Sequence, residues 1–124
     1  MAVKRIAGPR VVEKGSVKVE KTRISRDVGH FEIRYGRSYI IVAYNLRSGV
    51  FRIDGIFVME KERGKGLGSA LVGMVEDIAR YLGIKYITTS TAMPEAMRFW
   101  ERLGYRKIED KATGLAMYVK QLSN

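Results

Sequence analysis

The spacing of apolar positions changes partway along the chain. From Ser16 to Ile24, Val17 and Val19 alternate with Lys18, Glu20 and Thr22, and Lys21 falls out of step. From His30 to Tyr35, Phe31, Ile33 and Tyr35 alternate with Glu32 and Arg34. A period of two sends successive side chains to opposite faces, so both segments are predicted as half-buried strands. Gly36-Arg37 makes a turn into Tyr39–Tyr44, an unbroken apolar run suited to an inner strand. Asn45–Gly49 is a second turn, and Val50–Met59 reads as the next strand. No helical period precedes residue 60, so the first half is predicted to be an antiparallel meander. Beyond it, Leu67, Leu71, Val75, Ile78 and Leu82 line one face of a helix that stops at Gly83. Ile84–Ser90 is a short strand. Pro94 and Glu95 suit the first turn of a second helix, which runs to about Leu103 and ends at Gly104. Tyr105–Ile108 and Leu115–Lys120 complete the set. The expectation is an α+β (mixed α/β) fold, a meander followed by β-α-β-α-β-β, with helices packed on one layer of sheet.

Length and composition narrow the chemistry. At 124 residues and 14.1 kDa the chain has room for one core, so residues 1–124 are read as a single domain. It has no cysteine, which excludes disulfides, thiolate zinc sites and a cysteine nucleophile. His30 is its only histidine, so no metal centre is expected. The longest apolar run, Tyr39–Tyr44, is far short of the roughly 20 residues that span a bilayer. Pro9, Arg10 and Glu13 interrupt any signal-like stretch after Lys4 and Arg5, so no membrane partner and a cytoplasmic location are expected. The formal net charge is +10, and it is uneven: residues 1–52 hold twelve basic and four acidic side chains, residues 53–124 eleven and nine. A field of this sign attracts nucleic acid or a phosphate-rich small molecule, although a solvated basic surface explains it equally.

The chemically informative stretch is Phe51–Val72, FRIDGIFVMEKERGKGLGSALV. A strand gives way to a charged turn, and Gly64, Gly66 and Gly68 open a helix. Bare first-turn amides, the helix dipole, Arg63 and Lys65 together make an anion cradle, fit for a phosphate or pyrophosphate. The plain alternative is a flexible turn whose glycines serve tight packing. A P-loop requires Gly-Lys-Ser/Thr, and here Gly64-Lys65 is followed by Gly66. A dinucleotide fingerprint requires a glycine where Ser69 stands, and an acid about 20 positions on, where Lys85 stands.

Arg63-Gly64-Lys65-Gly66-Leu67-Gly68 resembles the Arg/Gln-x-x-Gly-x-Gly/Ala signature of the GNAT family of N-acetyltransferases. Phe99-Trp100-Glu101-Arg102-Leu103-Gly104-Tyr105 resembles that family's second stretch, Phe-Tyr-Glu-Lys-Leu-Gly-Phe. The two stand in the family's order, and the likeness covers residues 50–107. The resemblance implies a central strand, Val50–Met59, that splays from Ile84–Ser90. Acetyl-CoA, the cosubstrate, would lie in that cleft. The backbone at Ile56, Phe57 and Val58 would pair with the pantetheine amides, and the amides from Arg63 through Gly64, Lys65, Gly66, Leu67 and Gly68 to Ser69 would hold the pyrophosphate. The implied reaction is direct attack of a primary amine on the thioester, with proximity, carbonyl polarisation and a base supplying the rate.

Several positions depart from the family pattern. Trp100 stands where a tyrosine general acid is common, and indole cannot protonate a thiolate. Met93 replaces a frequent asparagine. Asp54 is the acid nearest the family's usual glutamate and shares strand parity with Ile56 and Val58, which makes it the expected base; its ordinary reading is a partner for an arginine. Trp100 and Phe99 are read as core or as packing for the pantetheine. His30 has a convenient pKa but is ordinarily a surface or packing residue, and Tyr118 ordinarily fills a core. The family's usual first two helices have no counterpart in the pattern. Their loss leaves an open and strongly basic acceptor side, suited to a protein segment or another bulky amine. The competing reading is a catalytically weak or inactive module that binds CoA or nucleic acid through its basic surface. Both a monomer and a homodimer are compatible with the sequence.

Overall fold

The computed structural model describes the backbone of residues 10–14, and residues 17–109, 112 and 114–122. Lys4, Arg5, Pro9 and Ser16, which entered the sequence reading, lie outside the described residues. The chain runs β1 (Arg10–Lys14), β2 (Val17–Arg23), β3 (Val28–Tyr35), β4 (Ser38–Asn45), β5 (Val50–Phe57), a single 3-10 turn (Glu60–Glu62), α1 (Leu67–Tyr81), β6 (Tyr86–Thr91), α2 (Pro94–Arg102), β7 (Arg106–Glu109) and β8 (Ala116–Gln121). All the strands join one mixed sheet in the order β1-β2-β3-β4-β5-β6-β8-β7. The neighbours pair antiparallel except β5 and β6, which run parallel. The meander and the β-α-β-α-β-β order are therefore as expected. Strand β1 was not anticipated, because Val11 and Val12 are adjacent and show no alternation.

Alternation decides which sheet face is covered. Phe31 and Ile33 on β3, Ile40, Val42 and Tyr44 on β4, and Phe51 and Ile53 on β5 are buried together with Leu71, Val72, Val75 and Ala79 of α1. Trp100 of α2, Ile87 of β6 and Tyr118 of β8 belong to the same cluster, so both helices lie on one face. Each large side chain buried there contributes roughly 1.5–3 kcal/mol. The opposite face, with His30, Ile41, Ala43, Arg52 and Thr88, carries no helix among the described residues. Residues 24–27 join β2 to β3 directly, where the family's first two helices were expected to be reduced or missing. On α1 the predicted stripe holds at Leu71 and Val75, while Leu82 at its end is 43% exposed.

Candidate active site

The parallel ladder between β5 and β6 is short. It pairs Val50 with Tyr86, Phe51 with Ile87 and Arg52 with Thr88, and stops there. Past that point the Thr89 hydroxyl donates to the Ile53 carbonyl at 3.1 Å, the last bond across the gap among the described residues. Both strands continue, β5 to Phe57 and β6 to Thr91, so they diverge into a cleft with free backbone on the β5 edge. This is the splay expected of Val50–Met59 and Ile84–Ser90.

Beside the open end of this cleft, β5 turns into α1. The Met59 amide donates to the buried Ser38 hydroxyl at 2.9 Å, which ties the end of β5 to the start of β4. The Arg63 amide donates to the Glu60 carbonyl at 3.2 Å, and its guanidinium Nε donates to the Val58 carbonyl at 3.0 Å. Arg63 therefore braces the loop, and its amide is spent inside the protein, contrary to the expectation that the anion site begins with it. Ala70 is the next residue whose amide has a protein acceptor, the Gly66 carbonyl at 3.0 Å. Between them the amides of residues 64–69 have no protein acceptor among the described residues. Gly64 and Gly66 make this possible with φ of 77° and 80°, a backbone region costly for residues with a Cβ. Gly66 is the N-cap of α1 and offers no side chain to the first turn. Gly68 serves close packing, since a Cβ there would stand 3.3 Å from Cε1 of Phe99 and 3.6 Å from Cγ2 of Val58. The anion reading thus fits Gly64 and Gly66, and the packing reading fits Gly68. A hollow of about 420 Å³ beside the loop is lined by Arg37, Ser38, Met59 and Lys61, among others.

The other side of the crotch is a groove of about 660 Å³ on the uncovered sheet face. Its walls include Ile24, Val28, Ile41, Ala43 and Val50, and its polar groups include His30, Asn45, Arg52, Asp54 and Thr88. Arg52 and Thr88, the last ladder pair, are among them, so the groove abuts the point where the strands part. A bulge in β5 shapes it. Ile41 pairs with Gly55 and Val42 with Ile53, which leaves Asp54 as the extra residue. The bulge breaks the parity expected between Asp54 and Ile56. Ile56 pairs with Ile40 and packs on the helix-side core, whereas Asp54 turns to the open face beside Arg52. There Arg52 Nε donates to Asp54 Oδ1 at 2.6 Å and Nη2 to Oδ2 at 3.3 Å. These hydrogen bonds, with the carboxylate charge, push the Arg52 pKa above its ordinary value. Asp54 is thus first an arginine partner, and it reaches the site from the open face instead of along the β5 edge.

Trp100 departs from the expected coenzyme contact. It is 2% exposed and packs edge-on against Phe99 and Tyr105, so it belongs to the core and leaves Phe99 as the ring beside Gly68. Tyr118 is also buried, and its hydroxyl donates to Glu101 on α2 at 3.0 Å. Burial and Glu101 raise its pKa. A polar cluster that sequence reasoning missed lies under the helices. Glu76 of α1 accepts from Tyr105 at 2.9 Å and from Lys120 at 3.1 Å, and Lys120 also donates to the Leu103 carbonyl at 2.9 Å. Among the described residues no group of three or more acidic or histidine side chains could hold a metal ion, and no helix is long and apolar enough to cross a membrane.

Comparison with known proteins agrees with this geometry. The family model described as Acetyltransferase (GNAT) family matches residues 28–105. A curated acetyltransferase from Agrobacterium fabrum is 34% identical over 68 residues, which is 55% of this chain; the chain spans about half (49%) of that relative. An acetyltransferase structure from Bacillus cereus is 27% identical with a TM-score of 0.57, covering 68% of this chain and 63% of that one. An acetyltransferase from Bacillus subtilis, solved in complex with CoA, shares the fold at 17% identity and a TM-score of 0.61, with 78% of each chain covered. The splayed strands, the glycine loop and the matched span lead to one conclusion: the chain belongs to the GNAT family of acetyltransferases.

Proposed function

We propose that this protein is an acetyl-CoA-dependent N-acetyltransferase that acetylates a primary amine of a protein segment or other bulky acceptor by direct attack. The observation that carries the reading is the run of amides at residues 64–69 without protein acceptors, at the N-terminus of α1 and beside the parted strands. Such amides and the helix dipole favour a diphosphate. Gly64, Lys65, Gly66, Leu67, Gly68 and Ser69 would hold it, with Arg63 bracing the loop. The β5 edge at Ile56 and Phe57, with Val58 just beyond it, would align the pantetheine arm, the Val58 carbonyl also accepting from Arg63. Bound there, the coenzyme supplies an acetyl thioester at the crotch. The protein's own residues then orient the amine in the groove, and backbone N–H groups polarise the carbonyl. Asp54, fixed by Arg52 at the groove's edge, attracts the acceptor's ammonium form. Among the described residues none that lines the groove belongs to a helix, which supports a bulky acceptor.

Calorimetric titration with acetyl-CoA and CoA, followed by thiol release against a panel of peptides and small amines, tests this. Micromolar binding and thiol release with a peptide amine are expected. No heat with either coenzyme, together with salt-sensitive binding to DNA, would replace the enzyme with a nucleic-acid-binding module.

A further inference from the structure

We propose that His30 is the group that accepts the proton from the attacking amine. This rests on the acetyl-transfer reading above and adds a catalytic residue to the same site. His30 lines the groove that abuts the parted strands. Register places it in one transverse row: Thr22 opposite His30, His30 opposite Ala43, Ala43 opposite Arg52, and Arg52 opposite Thr88. Two strand spacings separate His30 from Arg52, about 10 Å between backbones. Ala43 is the small residue between them, and the groove lined by all three has a volume of about 660 Å³, room for an amine with or without one water.

The other polar groups of the groove are poorly suited to taking a proton. Both Asp54 oxygens accept from Arg52. An arginine is not a base near neutral pH, and neither is the hydroxyl or amide of Thr88, Ser48 or Asn45. Tyr44, also on the lining, carries a neutral phenol, which is not a base. The imidazole of His30, by contrast, has a ring-nitrogen lone pair that can take a proton. The charged groups that face it are Glu20 from β2, Glu32 of its own strand, which is bonded to Arg34, and the Arg52–Asp54 pair from β5. Strand β4 presents Ile41, Ala43, Tyr44 and Asn45 to the groove, none of them a charged side chain. In the step, the imidazole takes the amine N–H proton as the C–N bond forms. The C–S bond breaks with its electron pair going to sulfur. The imidazolium returns its proton to solvent, from which the thiolate is protonated.

The test compares kcat against pH for the wild type, His30→Gln and Asp54→Asn, with two peptide acceptors whose amines differ in pKa. The sole imidazole is also titrated by NMR in the CoA-bound protein. The wild type is expected to show an acid limb at the same pH for both acceptors, matching the imidazole titration. His30→Gln should lose that limb and fall about 100-fold in kcat at pH 7, with CoA affinity unchanged as the check on folding. Asp54→Asn should keep the limb. An acid limb that survives in His30→Gln, follows the acceptor's pKa, or disappears in Asp54→Asn overturns the assignment of His30 alone. A wild type that releases no thiol with any amine overturns the acetyl-transfer reading and this inference with it.

Discussion

Two kinds of glycine stand at the start of α1. Gly66 adopts a positive φ and has open space where a Cβ would point, whereas Gly68 is pressed against Phe99. Gly66→Ala therefore meets no clash and suffers only from its backbone conformation. It should cost about 1 kcal/mol, lowering Tm by roughly 4 °C for a chain of this length. Because the strained loop reorients the amides of residues 64–69, CoA affinity should fall by about 10-fold or more, an effect of about 1.4 kcal/mol. Scanning calorimetry and isothermal titration check the two effects; an unaltered Kd would remove these amides from the coenzyme site. Asp54→Asn should behave differently. Its partner Arg52 is well exposed, so losing the pair should cost less than about 1 kcal/mol. The KM for a cationic acceptor should rise while CoA affinity stays constant, which steady-state kinetics and titration separate.

The helices are fastened to the sheet by a polar cluster as well as by the apolar stripe. Glu76 on α1, Tyr105 after α2 and Lys120 on β8 meet in a partly buried site. Burial first, then the Glu76 carboxylate, push the Tyr105 pKa far above its ordinary value. A raised tyrosine pKa means that the folded state holds the proton more tightly than the unfolded state. The stabilisation is complete below about pH 10, the unfolded value, and is lost as pH rises beyond it. Thermal melts between pH 8 and 11 should show a steep alkaline loss in the wild type and a shallower one in Tyr105→Phe. Equal slopes would discount the cluster. The helical period identified the buried positions Leu71 and Val75 because period is a local property. Glu76 escaped that reading because its partners come from β8 and the end of α2, and no local spacing marks a carboxylate whose charge is balanced from afar.

Across the molecule, the formal charge of +10 is unevenly compensated. The open face was expected to be strongly basic. On β2, β3 and β5 it carries Lys18, Arg34 and Arg52 against Glu20, Glu32 and Asp54, with Glu32 bonded to Arg34 and Asp54 to Arg52. Cations instead gather near the anion loop, where Arg37, Lys61, Arg63 and Lys65 outnumber Glu60 and Glu62. Screening should therefore act unevenly. Raising salt from 50 to 500 mM should weaken CoA binding by about 3- to 10-fold and leave the KM of an uncharged-side-chain peptide within about twofold. A KM that rises in step with the CoA Kd would put the basic field back on the acceptor face.

Strand and helix order and the glycine loop could be read from the chain because each depends on neighbours in sequence: side-chain period, turn residues, and amides left bare by a helix start; the splay was implied only by the family resemblance. The extra residue in β5 could not. A bulge is set by how β4 and β5 pair, and it moved Asp54 to the face opposite Ile56. The bulge and the bare sheet face together bring Asp54 into one groove with His30, from a strand two places away. Trp100 was placed in the core by the rings of Phe99 and Tyr105. Local forces acting over a few residues choose the elements, whereas the register between distant strands chooses which side chains meet.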